Sequence, residues 1–203
     1  QSGHYIKAIN IGGGFGAFYE GDEAPAAEDY ARQLVPLLEG RELQVLLETG
    51  RSISANAGVL LGRVLYCKSS GSRRWVIVDA ALTERLRPAL YGSYHFAWPV
   101  APSGGLVPPS RAKDLHLPGT MRVDVVGPVC ESGDFLAKDR WLPAVARGDL
   151  VAIFSAGAYG MVMSSQYNSR PRAAEGLIDG ERMRLIRRRE TFDDLVAAER
   201  DVL

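Results

Sequence analysis

The 203-residue sequence has little of what metal centres, disulfide frameworks and membrane spans are built from. Its two cysteines, Cys67 and Cys130, cannot form a disulfide framework and lack metal-ligand spacing. Its three histidines, His4, His95 and His116, lie far apart, with neither an HxxH nor an HExxH pattern, so no metal enzyme is expected. Net charge is also missing: 24 basic residues face 24 acidic ones, and no overall field favours nucleic acid or an anionic membrane. The basic run Arg187-Arg188-Arg189 is followed by Glu190 and two aspartates and reads as a solvated strand end. There is no apolar run of 18 residues, no signal-peptide pattern, no internal repeat and no low-complexity tract. A soluble, cytoplasmic protein is therefore expected. The apolar fraction, 46%, is that of an ordinary globule, whereas the 22 glycines are clustered, as in loops shaped around something.

Ile6 to Ile11 reads as a short apolar strand running straight into Gly12-Gly13-Gly14-Phe15-Gly16. Glycines after a strand let the backbone approach a ligand and offer N–H groups to an anion, although a plain glycine-rich turn looks the same. It is not the dinucleotide fingerprint, because no helix starts directly after it. Asp22 to Pro25 signals a helix start, and Ala26 to Leu38 follows with Tyr30, Leu34, Leu37 and Leu38 on one face. Pro36 is expected to cut the regular part short, and Gly40 closes it. Leu43 to Leu47 is the next strand, capped by Glu48-Thr49-Gly50-Arg51. Strand, helix, strand with polar residues at the strand ends is the logic of an α/β barrel or a doubly wound sheet, where ligands sit at those ends. Arg51 stands where an anion loop would be, or is a surface arginine.

Beyond Arg51 the chain turns to strands: Val59 to Lys68 and Arg74 to Asp79 around a turn at 69–72, then Tyr94–Val100, Met121–Val126 and Leu150–Phe154. Tyr159–Met163 and Met183–Arg187 are weaker strand candidates. The stretch from Pro102 to Pro118 reads as a long loop. Thr191 caps an expected helix to Arg200, with Phe192, Leu195 and Val196 inward. The fold class is thus α/β plus β, with a division near residues 53 and 54. Two βα units cannot close a sheet or a barrel. The chain is accordingly expected to be the C-terminal part of a longer polypeptide, or to pair with one.

Three loops carry chemistry. Gly127-Pro128-Val129-Cys130-Glu131-Ser132-Gly133-Asp134 sets a thiol and two acids within five residues of a tight loop, although a cysteine beside valine is also at home in an inert core. Arg87-Pro88-Ala89-Leu90-Tyr91 puts a guanidinium and a phenol four residues apart, within reach of one carboxylate. Gly157-Ala158-Tyr159-Gly160 holds a tyrosine between glycines, as a turn residue or as a ring presented to a flat cofactor.

Together with Asp79-Ala80-Ala81, these motifs resemble, in order and spacing, the diaminopimelate decarboxylases, pyridoxal 5'-phosphate enzymes of the alanine racemase-like class. The resemblance runs from about Tyr5 to the end and covers the C-terminal half of the family's usual protein. It implies that residues 1–53 are the last βα units of a TIM barrel and that 54–203 form a β domain with a terminal helix. The lysine that attaches the cofactor and the histidine that stacks on its ring have no counterpart here, and Lys7, Lys68, Lys113 and Lys138 do not fall at the lysine's position. Gly13, Gly14, Gly50 and Arg51 would hold the cofactor phosphate, Glu48 would face the pyridine nitrogen, and Tyr159 would touch the cofactor and the substrate. Arg51, Arg87 and Tyr91 would grip the distal carboxylate, Glu131 the distal ammonium, and Cys130 would act as the catalytic acid. Thr49 departs from the family's usual proline, which touches loop rigidity more than chemistry.

The implied reaction removes the α-carboxyl from the D-centre of meso-2,6-diaminopimelate to give L-lysine, the last step of lysine biosynthesis. It implies a homodimer with active sites shared across the interface. Two other readings stay open. One is a decarboxylase of the same class acting on ornithine, arginine or a carrier-bound amino acid, although a simple distal cation has no use for Arg87. The other is a non-catalytic partner or regulatory protein derived from the fold.

Overall fold

The computed structural model describes residue 3, residues 5–21 and 23–200, and residue 202. His4 and Asp22, named above, lie outside the described residues. The chain opens with β1 (Ala8–Gly13), α1 (Ala27–Leu38) and β2 (Gln44–Glu48), with β1 and β2 paired in parallel. Parallel strands need a crossover, and α1 supplies it. Its Tyr30, Leu34 and Leu38 are half-buried, and Tyr30 stacks on Phe15 at 4.3 Å. Leu37 is not on that face but exposed, and Pro36 lies inside the helix without ending it early. The helix begins at Ala27 rather than Ala26, so Pro25 precedes its cap instead of lying in its first turn. A short helix α2 (Gly50–Ser54) follows β2 directly.

The larger sheet has six strands in the order β5-β8-β3-β4-β6-β7. These are β3 (Leu60–Ser70), β4 (Arg73–Val78), β5 (Ala97–Pro99), β6 (Thr120–Val126), β7 (Phe135–Pro143) and β8 (Leu150–Ile153). All neighbours are antiparallel except β4 and β6. The edge strands β5 and β7 pack against each other, so the sheet curls into a nearly closed barrel. Period-2 alternation turns Val64, Val76, Val78, Val123, Val125, Val151 and Ile153 into a common core, joined by Leu136 and Leu142. Phe96 and Trp98 stack at 5.7 Å within it. Burial of such residues contributes roughly 1.5–3 kcal/mol per large side chain.

An exposed hairpin of β9 (Glu175–Asp179) and β10 (Arg182–Arg187) completes the strands. Arg187 ends β10, and Arg188 and Asp194 form a bidentate pair just beyond it, as expected of a solvated strand end. Helix α3 (Arg87–Tyr91) lies between β4 and β5, and α4 (Phe192–Leu195) is a single turn closed by a capping box at Thr191 and Asp194. That helix stops short of Arg200, and Phe192 is exposed, while Leu195 and Val196 are half-buried. Residues 159–163 are not a strand: left-handed Tyr159 leads into a 3-10 turn over Met161–Met163. No helix among the described residues is long and apolar enough to cross a membrane.

Candidate active site

The polar loops converge where β4 and β8 end. Past β4 the chain runs through a buried turn at residues 80–85, shaped by Glu84, whose Oε2 accepts from Ala81 N at 2.8 Å and Thr83 Oγ1 at 2.9 Å. Arg170 fastens this turn from outside by donating to the Asp79 carbonyl at 2.6 Å. The turn delivers Arg87 at the start of α3, its guanidinium over the Tyr19 ring at 4.8 Å and the Tyr159 ring at 5.5 Å. Arg51, in α2, also lies over the Tyr159 ring, at 5.7 Å. Two guanidinium groups thus share one tyrosine. Neither is in an ion pair among the described residues, and Arg51 Nε, Arg87 Nη1 and Tyr19 OH are buried atoms with no hydrogen-bond partner. Two guanidinium groups that meet on one ring without an ion pair are suited to take an anion.

A third arginine backs this wall. Arg85 is fully buried and donates to the Ala158 carbonyl at 2.7 Å, the Ser155 carbonyl at 3.2 Å, the Ala156 carbonyl at 3.3 Å and His95 Nε2 at 2.9 Å. Burial, reinforced by Arg87, pulls its pKa down to about 10, so it stays cationic at neutral pH. His95 is buried too, and burial, then the charge of Arg85, holds its pKa down at about 3. Neither residue was a sequence candidate for the site. A lone buried arginine inside the stretch Thr83-Glu84-Arg85 has no motif to announce it; its only signal is a second arginine two residues before Arg87.

The loop that carries Tyr159 is bound to the rest by close backbone approach. Asn56 donates to Phe18 O at 2.7 Å and Ser155 Oγ at 2.8 Å, and Ser155 Oγ donates to Phe18 O at 2.9 Å. A Cβ on Gly157 would overlap the Ser54 carbonyl, and one on Gly58 would come within 2.6 Å of Gly157 Cα. Gly157, two residues before Tyr159, therefore serves close packing first.

The N-terminal candidates form the adjoining side. Glu48 ends β2, and its Oε1 accepts from Asn10 Nδ2 at 2.6 Å, which fixes the carboxylate at the strand end. Gly13 faces Glu48 so closely that a Cβ would overlap the Glu48 carbonyl, whereas open space lies beside Gly14 and Gly50. Thr49 holds φ −84° without a proline ring, and its carbonyl accepts from Ser52 Oγ at 2.6 Å and Ile53 N at 3.2 Å.

Cys130 and Glu131 belong to a separate group on the loop between β6 and β7. Asp134 pins that loop, its Oδ1 accepting from Leu82 N at 2.8 Å and its Oδ2 from Val129 N at 2.7 Å. Burial pushes the Asp134 carboxyl up while those two N–H groups pull it down. Asp134 is thus a structural acid, and Cys130 and Glu131 stand exposed at the loop's outer side. Glu131 Oε2 accepts from Tyr167 OH at 3.3 Å, not from the arginine group. Tyr91, one helical turn past Arg87, is exposed and does not join Tyr19 and Tyr159. A groove of about 450 Å³ along Arg73, Arg74, Arg122 and Lys138 lies at the opposite end of β4, where Asp124 and Asp139 balance its cations.

Comparison with known proteins bears on the fold and the family. The family model for the C-terminal sheet domain of pyridoxal-dependent decarboxylases matches residues 18–157. Diaminopimelate decarboxylase of Pseudomonas aeruginosa is 48% identical over 194 residues, 96% of this chain and 43% of the relative. That of Aquifex aeolicus is 44% identical across the whole chain and 45% of the relative. The crystal structure of diaminopimelate decarboxylase from Helicobacter pylori complexed with L-lysine superposes with a TM-score of 0.83 at 40% identity, over 97% of this chain and 45% of that one. Lysine/ornithine decarboxylase from Vibrio vulnificus, complexed with putrescine, shares the fold at TM-score 0.66 and 22% identity over 82% of this chain and 42% of that one. The chain spans less than half the length of the curated relatives it matches. With its sheet and its matched span in agreement, this chain belongs to the pyridoxal-dependent decarboxylases, of which it carries the C-terminal sheet domain.

Proposed function

We propose that this chain forms the C-terminal portion of an enzyme that decarboxylates meso-2,6-diaminopimelate to L-lysine and CO2. The observation that carries the reading is the meeting of Arg51 and Arg87 on Tyr159, with buried donor atoms that no acid among the described residues satisfies. A substrate with a distal carboxylate fits that wall, and one with only a distal cation is repelled by it.

The same observations fit the family's cofactor. Pyridoxal 5'-phosphate, when bound, supplies the electron sink for the carbanion that loss of CO2 leaves. Gly13 and Gly14 and the Gly50–Arg51 turn would hold its phosphate, where the open space beside Gly14 and Gly50 lets a ligand approach the backbone. Glu48, held through Oε1 by Asn10, keeps Oε2 to accept from a protonated ring nitrogen and stabilise its charge. Tyr159 would offer its ring and hydroxyl beside the two arginines. Arg51, Arg87 and, from the end of α3, Tyr91 would take the distal carboxylate, and Glu131 the distal ammonium. Cys130 Sγ would give its proton to the carbon that lost CO2 and recover one from solvent.

In this reading residues 1–53 are the last βα units of the barrel and the sheet domain starts at residue 54, where α2 ends. Cys130 and Glu131 face outward from a pinned loop, as residues that serve a second subunit would, so the active unit is a homodimer with shared sites. A cytoplasmic location goes with this biosynthetic role.

The test is CO2 release by the full-length enzyme, loaded with pyridoxal 5'-phosphate, from meso-diaminopimelate, L-ornithine and L-arginine in parallel. Turnover of meso-diaminopimelate alone is the expected result. Equal or better turnover of ornithine or arginine would contradict the assignment of Arg87.

A further inference from the structure

Tyr159 owes its position to a strained turn. Ser155 (φ 55°) and Tyr159 (φ 56°) are both left-handed without being glycine, a conformation that side chains other than Asn and Asp rarely adopt. The carbonyls of Ser155, Ala156 and Ala158 lie within this turn, and all three accept from the one guanidinium of Arg85. A fully buried arginine ordinarily has a carboxylate as its partner. Here no acid takes that place among the described residues, and the remaining donors point at His95 Nε2, from Nε at 3.2 Å and Nη2 at 2.9 Å.

His95 is suited to accept them in one form only. Its Nδ1 lies 3.0 Å from the Phe154 carbonyl, which cannot donate, so Nδ1 carries the hydrogen and Nε2 presents its lone pair to Arg85. A proton on Nε2 would set donor against donor and cation against cation. Tyr19 packs its ring edge-on to His95 at 5.2 Å and lies under Arg87, so the pair also abuts the wall of the site.

We propose that Arg85 is a positioning residue which, with neutral His95 as its acceptor, clamps the carbonyls of Ser155, Ala156 and Ala158 and thereby fixes Tyr159 against Arg51 and Arg87. The inference rests on the reading of the Arg51–Arg87–Tyr159 wall as substrate-facing, and it assigns to that wall the buried support that sets its geometry. Lysine cannot replace arginine here: a single ammonium has three donors and no planar fork for carbonyls on one side and an imidazole on the other.

The experiment uses the full-length enzyme with Arg85→Met, Arg85→Lys, His95→Gln and Tyr159→Ala. Amide hydrogen exchange across residues 155–161 is read without and with pyridoxal 5'-phosphate, beside kcat and KM for meso-diaminopimelate. Arg85→Met is expected to speed exchange in this segment about tenfold or more, as local opening becomes easier, and to lower kcat/KM with it. If that variant fails to fold, Arg85→Lys is expected to show the same local loosening to a smaller degree. His95→Gln can accept from Arg85 through its carbonyl and donate to Phe154 O through its amide, so segment exchange is expected to stay near that of the parent. Unchanged exchange in both Arg85 variants would overturn the clamp. So would faster exchange with unchanged kcat/KM while Tyr159→Ala is impaired, since the turn would then not matter to Tyr159's role. If Tyr159→Ala itself leaves turnover intact, the reading of the wall is at fault, and exchange alone still decides the clamp.

Discussion

At the scale of single residues, the Tyr159 wall is set by arginines that form no ion pair among the described residues. Arg51 and Arg87 converge on Tyr159, and Arg85 lies behind them with carbonyls and an imidazole for partners. This makes His95 a liability in acid. Arg85, Arg87 and the edge of Tyr19 face its ring, with Phe154 O on its other nitrogen, and its pKa in the folded chain is held at about 3. That lies below the ordinary value of roughly 6.5, so as pH falls the unfolded chain takes up a proton that the folded chain refuses. The stability held by neutral His95 is therefore lost progressively from about pH 6.5 down toward 3. The expected outcome is that His95→Gln, which does not titrate, flattens the fall in Tm between pH 7 and pH 4 relative to the parent enzyme. Parallel Tm curves for the two proteins would contradict it. Arg51, Arg87 and Tyr159 were legible in the sequence because each stands in a motif beside glycine or proline. Arg85 and His95 were not, because burial and the absence of a partnering acid are properties of the folded chain. Asp134 read as a second acid of the Cys130 loop, and only its two backbone donors show that it pins the loop instead.

At the scale of elements, the strands with clean apolar alternation were legible and those with charged centres were not. β3, β4, β6 and β8 carry Val, Leu and Ile at period 2 and fall within two residues of their expected limits. β7 went unread because Lys138-Asp139-Arg140 interrupts it, and Asp139 (φ 56°) breaks its register with β6. β9, exposed along almost all its length and broken by Gly176, lacks a buried face to betray it. The opposite error came at residues 159–163, where aromatic and β-branched residues suggest a strand but close packing at Gly157 and Gly160 bends the chain into a turn. That packing is testable. A Cβ on Gly157 meets backbone atoms of Ser54, which cannot swing aside as a side chain can. Gly157→Ala is expected to cost about 1–3 kcal/mol of stability, the usual range for overpacking, and to reduce turnover by shifting the Tyr159 loop. Gly71→Ala, in an open turn between β3 and β4, pays only for its left-handed φ, about 1 kcal/mol. Equal Tm losses in the two variants would argue against the tight contact between the loop and Ser54.

At the scale of the whole molecule, the α/β part of the chain leaves apolar strand residues uncovered. β2 is exposed along its length, including Val45, Leu46 and Leu47, and the chain covers 43–45% of the relatives it matches. The parallel pair β1–β2 with its crossover was readable as part of a larger α/β unit, whereas the curl that brings β5 to β7 was not, since it depends on pairings far apart in sequence. The outward Cys130 gives the proposed sharing of sites between subunits a direct check. Cys130→Ser is expected to lower kcat by roughly 10² or more, the usual worth of a positioned proton donor, with little change in Tm. Mixing that subunit with one lacking its cofactor-attaching lysine should restore part of the activity; confirmed subunit exchange without recovery would place Cys130 in its own subunit's site. The central claim, that this domain brings a cationic grip for a distal carboxylate to a decarboxylase, is tested most directly at Arg87. Steady-state kinetics of Arg87→Ala in the full-length enzyme should show kcat/KM for meso-diaminopimelate down by about 30-fold or more, chiefly through KM, as the loss of roughly 2–5 kcal/mol for an unpaired, desolvated carboxylate requires. A change of less than about twofold, far below that range, would show that Arg87 does not hold the substrate.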